Sequence, residues 1–172
     1  MRKKSVPEKS GRVKKPANVF FSAGRDLCDL NEKSILEISG VLLDLLKKLE
    51  KYKYDLSFSL SLVSDRRIRD LNREHRKKNS VTDVLSFPQW EDPAKARIPG
   101  GELFLGDIVI STAVCRRQAR QIGHSVPDEF LRLLTHGLLH LCGYDHEISL
   151  PEEKRMQKRE DRLLAELSRS GY

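Results

Sequence analysis

Three histidines hold the clearest chemistry in this sequence. His136 and His140 are four apart, so on a helix they share one face and lie one turn from each other. Around them Phe130, Leu131, Leu133, Leu134, Leu138, Leu139 and Leu141 are apolar enough for a core helix. Gly143 can take the left-handed conformation that ends a helix, and His146 follows six residues after His140. Two imidazoles on a rigid helix and a third from the turn beyond it form three corners of a tetrahedron. The fourth corner is left open, as in a catalytic rather than a structural zinc site, so one Zn(2+) per chain is the expected cofactor. The alternative is that these are ordinary helix and turn histidines. Against it, three of the five histidines of the chain fall in this one frame.

The same offsets occur in the metzincin pattern H-E-x-x-H-x-x-G-x-x-H, matched by His136, His140, Gly143 and His146. One position differs: Gly137 stands where those proteases carry the glutamate that serves as general base. A metal is therefore expected, but not peptide hydrolysis by that route. Three neutral imidazoles leave the ion its full positive charge, which favours an anionic substrate such as a phosphodiester, whose phosphoryl oxygen the ion can polarise. Charge spreading over the phosphoryl oxygens calls for a second cation, and the guanidinium fork suits that task. Arginines are too abundant here for the residues alone to single one out. Outside the frame, His124 follows Gly123 in a loop and reads as a surface residue, while Cys142 points away from the ligand face and reads as a small buried hydrophobe.

These side chains need a scaffold, and the pattern supplies one. Residues 18 to 23 (NVFFSA) are a short strand candidate. Asn31 caps a helix running to about Tyr52, with Ile35, Ile38, Val41, Leu42, Leu45, Leu46 and Leu49 as its core stripe. From Leu56 to Val63 apolar residues alternate with Ser57, Ser59 and Ser61, the mark of a half-buried strand. Ser64 caps a short helix with Ile68 and Leu71 inward. His75 onward is polar and basic, as in a loop, and passes into a strand from Val81 to Phe87 that Pro88 stops. The stretch 92–101, with two prolines and two glycines, reads as a flexible connection. A further strand covers 102–110, where Gly106 suggests a bulge or a close backbone approach. Ser111 caps a helix to about Ile122. Val126, Pro127 and Asp128 open the histidine helix, and Pro151 opens a last charged helix with Met156, Leu163, Leu164 and Leu167 as its apolar side. The fold class expected is α+β: a small mixed β-sheet packed with about five helices, and a three-histidine metal site at the end of a core helix.

A chain of 172 residues, 38% hydrophobic and 33% charged, has room for a core without disulfide staples. No apolar run reaches the roughly 20 residues that span a bilayer, and no secretory signal follows the basic N-terminus, so a cytoplasmic protein without a membrane partner is expected. Cys28, Cys115 and Cys142 are odd in number and lack a C-x-x-C pairing, which fits a reducing compartment. Of the net charge of +7, residues 1 to 17 carry six: seven Lys and Arg against Glu8. That segment reads as a disordered basic tail, either attached loosely to RNA phosphates or simply solvated, ahead of a single domain over 18–172.

The run from His136 to His146, H-G-L-L-H-L-C-G-Y-D-H, resembles the signature of the YbeY family of metal-dependent endoribonucleases. His75-Arg76-Lys77-Lys78-Asn79 followed by T-D-V-L-S-F-P at 82–88 is similar to the arginine loop and strand of that family, and L-G-D-I at 105–108 to a further segment. The resemblance covers about 18 to 167 and departs from the family at Lys77, Asn79 and Val81, where glycine, aspartate and proline are usual. It implies a single-strand-specific endoribonuclease acting in small-subunit rRNA 3′ end maturation and ribosome quality control. It also implies His136, His140 and His146 as metal ligands and Arg76 as the functional arginine. The implied partners are ribosomal RNA and the ribosome, with ribosomal proteins or assembly factors. His75 sits where the family often has tyrosine, which implies stacking or packing. Asp107 either accepts the second ring N–H of a metal histidine or braces a neighbouring turn, and Asp145 has the same two readings. The rival readings are a non-catalytic RNA-binding assembly factor with a structural zinc, and a metallohydrolase of small phosphate esters or amides. No side chain is identifiable as the general base.

Overall fold

The structure, a computed structural model, describes residues 19–23, 27 and 30–171. The basic segment 1–17 and Cys28 lie outside the described residues. In order, the elements are β1 (Val19–Ala23), α1 (Glu32–Glu50), β2 (Asp55–Val63), α2 (Asp65–Arg76), β3 (Val84–Pro88), a 3-10 turn (Pro93–Lys95), β4 (Glu102–Ser111), α3 (Thr112–Ile122), α4 (Val126–Leu141) and α5 (Leu150–Arg169). The sheet runs β1-β2-β4-β3, with β1, β2 and β4 parallel and β3 antiparallel to β4. This is the expected α+β architecture with a mixed sheet.

Local signals set the helix starts. Asn31, Ser64, Ser111, Ser125 and Ser149 each accept a hydrogen bond from a backbone N–H of the first turn they precede. At Ser125 the Asp128 carboxylate answers with a bond from the Ser125 N–H, completing a capping box at the head of α4. The alternating face of β2, Leu56, Phe58, Leu60 and Leu62, is buried with Ile35, Leu42 and Leu46 of α1 and Leu134, Leu138 and Leu141 of α4 in the main core. Each fully buried leucine there contributes about 1.5–3 kcal/mol by leaving water. A smaller cluster of Ile68, Leu85 and Val109 packs α2 onto β3 and β4.

Two glycines fix how the histidine helix meets the sheet. Gly106 sits at φ 135, at the point where the β2–β4 register passes from Ser57 opposite Phe104 to Ser59 opposite Asp107. The extra residue on β4 is the bulge expected there, and a side chain at 106 would collide with the Phe87 carbonyl of β3. Gly137 lets α4 lie close on the sheet: a Cβ would stand 3.1 Å from Ile108 Cγ2 and 3.2 Å from Ser86 Oγ. The Ser86 hydroxyl donates to the Gly137 carbonyl at 3.2 Å.

Three expectations need correction. His75 and Arg76 belong to the last turn of α2, not to a loop. Lys77 at φ 57 ends that helix, and the buried Asn72 donates its side-chain amide to the Ser80 carbonyl at 2.8 Å, tying the following segment down. β3 begins at Val84, not Val81, because Asp83 turns its carboxylate back to accept from the Val84 N–H at 2.8 Å and the Thr82 hydroxyl at 3.1 Å. The connection 92–101 is partly ordered by its 3-10 turn, with Pro93 and Ala96 buried. Among the described residues no helix is long and apolar enough to cross a membrane.

Candidate metal centre

The three histidines converge. One ring nitrogen from each of His136, His140 and His146 lies within 4.8 Å of the others. The ring centroids are 4.7 Å apart for His136 and His140, and 5.2 Å for each pair with His146. Nε2 of His136 and Nε2 of His140 are 3.1 Å apart. Zinc–nitrogen bonds of about 2.0–2.1 Å at a tetrahedral angle place two ligand nitrogens about 3.3–3.4 Å apart, so the helix presents this pair near that edge length. The third ring comes from the turn after α4. Gly143, at φ 85, reverses the chain there, as its position in the sequence predicts.

The electrostatics suit a cation. Burial first, then the neighbouring His136 and His146, push the His140 pKa down to about 4, so its ring is neutral at neutral pH. A hydrogen bond with the Tyr144 backbone ties that ring to the turn. Nδ1 of His136 lies 3.2 Å from Oε2 of Glu160 on α5. In a neutral ring, donation from Nδ1 to that carboxylate leaves the Nε2 lone pair facing the other histidines. The donor set, three imidazoles with one outer carboxylate, fits zinc.

Arg76 reaches the turn that carries His146. Its Nη2 lies 3.3 Å from both carboxylate oxygens of Glu147, the residue after His146. The Arg76 side chain stays 45% exposed, and the pair with Glu147 uses Nη2 alone. The α2 terminus is steadied by the His75 ring, edge-on to Phe87 of β3 at 4.9 Å, which is the packing role its position implies.

Residues 22–168 match the family model described as endoribonuclease YbeY. The chain belongs to the YbeY family. It is 44% identical to endoribonuclease YbeY of Aquifex aeolicus over 116 residues, 67% of this chain and 73% of the relative. It is 40% identical to that of Symbiobacterium thermophilum over 143 residues, 77% of this chain and 92% of the relative. The solution structure of TM1509 from Thermotoga maritima is similar with a TM-score of 0.58, 27% identity and coverage of 87% of this chain and 88% of that one.

The remaining residues of the YbeY-like signature take structural parts. Asp107 is exposed on β4, and the carboxylate beside His136 is Glu160 instead. Asp145 accepts from the Glu147 N–H at 2.8 Å and so braces the turn, the second of its two readings. Cys142 packs beside Tyr52 against the core, and burial pushes its thiol up to about 12, so it stays protonated. His124 lies at the surface, 3.9 Å from the buried Glu129 that Arg132 also grips.

Sequence reasoning missed Glu160 and a brace under the turn. The Tyr144 hydroxyl donates to Glu50 Oε1 at 2.9 Å, and Arg159 Nε lies 3.0 Å from both that oxygen and the hydroxyl. Arg155 stacks over the Tyr144 ring at 4.9 Å. The signal for Glu160 was present: it stands four after Met156 and three before Leu163, on the apolar stripe of α5. A carboxylate on a buried stripe asks for a partner.

Proposed function

We propose that this chain is a zinc-dependent endoribonuclease that cuts single-stranded RNA, working in small-subunit rRNA 3′ end maturation and ribosome quality control. In this reading it acts in the cytoplasm, with ribosomal RNA and the ribosome as partners, together with ribosomal proteins or assembly factors. The observation that supports it is the convergence of three histidine nitrogens, with Arg76 paired to Glu147 directly after His146, in a chain of an endoribonuclease family.

His136, His140 and His146 hold the ion, which when bound supplies Lewis acidity toward a phosphoryl oxygen. Glu160 keeps the His136 proton on Nδ1, away from the ligand face. His140, neutral at neutral pH, has no proton to lose before it binds. Arg76 binds the phosphodiester. Glu147 engages only its Nη2, so Nε and Nη1 can take two phosphate oxygens and add positive charge where the reaction builds negative charge. Gly137 offers no base, and its Cα faces Ile108 and Ser86 rather than open space, which supports a nuclease over a protease.

The test is cleavage of an RNA carrying the 3′ end of precursor small-subunit rRNA. Wild type and Arg76→Ala, purified identically, are compared with and without a chelator. Cutting that is lost in the variant, abolished by the chelator and restored by added zinc supports the reading. Equal cutting by both proteins defeats the role of Arg76. RNA binding without cutting by either protein favours the assembly-factor reading.

A further inference from the structure

Beside the metal turn lies a cavity of about 460 Å³, lined by Glu50, Lys51, Tyr52, Lys53 and Tyr54 at the α1–β2 junction and by Pro93 to Arg97. That volume is within the roughly 300–1,000 Å³ of clefts that take a small ligand, enough for a nucleotide unit. Two contacts join it to the histidine turn. The Tyr52 side chain hydrogen-bonds Cys142. The Glu91 carbonyl, two residues before Pro93, lies 2.9 Å from where a Cβ would stand on Gly143. Cys142 and Gly143 lie between His140 and His146, so the cavity wall and the metal turn share a border.

The charge of this cavity is one-sided. Among the described residues no carboxylate lies within ion-pair distance of Lys51, Lys53 or Arg97, all of them exposed. Of the nearby acids, Glu50 is engaged by Arg159 and Tyr144, and Asp92 by Lys95 at 2.8 Å; Glu91 is exposed just outside the lining. Two half-buried tyrosines, Tyr52 and Tyr54, are among the lining residues. Unpaired cations with ring surface between them form the combination that binds single-stranded nucleic acid without reading its sequence.

We infer that this cavity is a second RNA subsite, holding a further part of the strand through Lys51, Lys53 and Arg97. The inference rests on the proposed RNA substrate.

It is tested by fluorescence anisotropy of a labelled 12-nucleotide 2′-O-methyl uridine strand, a cleavage-resistant probe, on zinc-loaded protein across a salt series. The variant is Lys51→Gly with Lys53→Ala and Arg97→Ala; glycine suits the φ of 57 at position 51. Thermal melting confirms that it folds. Three lost phosphate contacts at about 0.7 each flatten the slope of log K against log salt by about 2 and weaken binding at least tenfold at 0.1 M salt. The control replaces three exposed cations elsewhere, Lys33→Ala with Arg120→Ala and Arg162→Ala. An unchanged slope in the cavity variant, or an equal loss in the control, overturns the subsite. Because the readout is binding, a wild type that binds this strand but cuts no RNA defeats the proposed function and leaves the subsite standing.

Discussion

Glu160 of α5 sets its Oε2 3.2 Å from Nδ1 of His136, so a residue 24 positions further along the chain orients the first imidazole of the α4 pair. Both side chains are largely shielded, at 16% and 22% exposure, which strengthens the contact relative to one in open solvent. Removing such an outer partner usually lowers metal affinity about 10–100-fold. Glu160→Ala should weaken zinc binding by that factor, and Glu160→Gln, which keeps an acceptor oxygen, by less. Competition titration against a chromophoric chelator reads both, and equal affinity in all three proteins would remove Glu160 from the site.

Arg76 and Glu147 form a half-exposed pair, so losing the guanidinium should barely move stability, by less than about 1 kcal/mol. Under the proposed role its effect falls on the reaction. Arg76→Ala should lower kcat/KM on RNA by roughly 100–1,000-fold, the usual cost of a transition-state charge partner. Arg76→Lys keeps the charge without the fork and should recover only part of that loss. Thermal melting alongside the cleavage assay separates the two effects.

Gly137 has no room for the glutamate of a metalloprotease. A Cβ there already meets Ile108 and Ser86, so Gly137→Glu must force the sheet and α4 apart and bury a carboxylate. It should destabilise the protein by about 3 kcal/mol or more, read by urea denaturation, and should produce no peptidase activity.

His140 makes the metal-free protein acid-sensitive. In the unfolded chain its ring takes a proton below its ordinary pKa of 6.5, whereas in the folded protein it stays neutral down to about 4. Between those values the unfolded state binds more protons, so stability is fully present above pH 6.5, falls as pH drops through the window and levels off below about 4. Melting temperatures of chelator-treated protein from pH 7 to 4 should show this, and His140→Gln should flatten the slope.

The parts that were legible in the sequence are those encoded locally. The offsets of His136, His140, Gly143 and His146 follow from helix geometry and a single reversal, and the serine caps are read by the few residues after them. The alternation in β2 and the bulge at Gly106 are likewise short-range signals. Where a polar face hides a structural role, the sequence misleads: His75 and Arg76 look like loop residues because only Ile68, Leu71 and Asn72 of α2 turn inward. Neither the pairing of His136 with Glu160 nor the brace from Glu50 through Tyr144 to Arg159 is written in any local pattern, since both depend on how α4, α5 and α1 pack together.

The dependence of the centre on α5 has a consequence for its biosynthesis. As the polypeptide is translated, the histidines emerge before Glu160, and Arg159 follows the tyrosine it clamps. Nascent chains therefore present the three histidines before the helix that orients and braces them is made. The contacts of Glu160 and Arg159 form only after the residues of every other described element have been made.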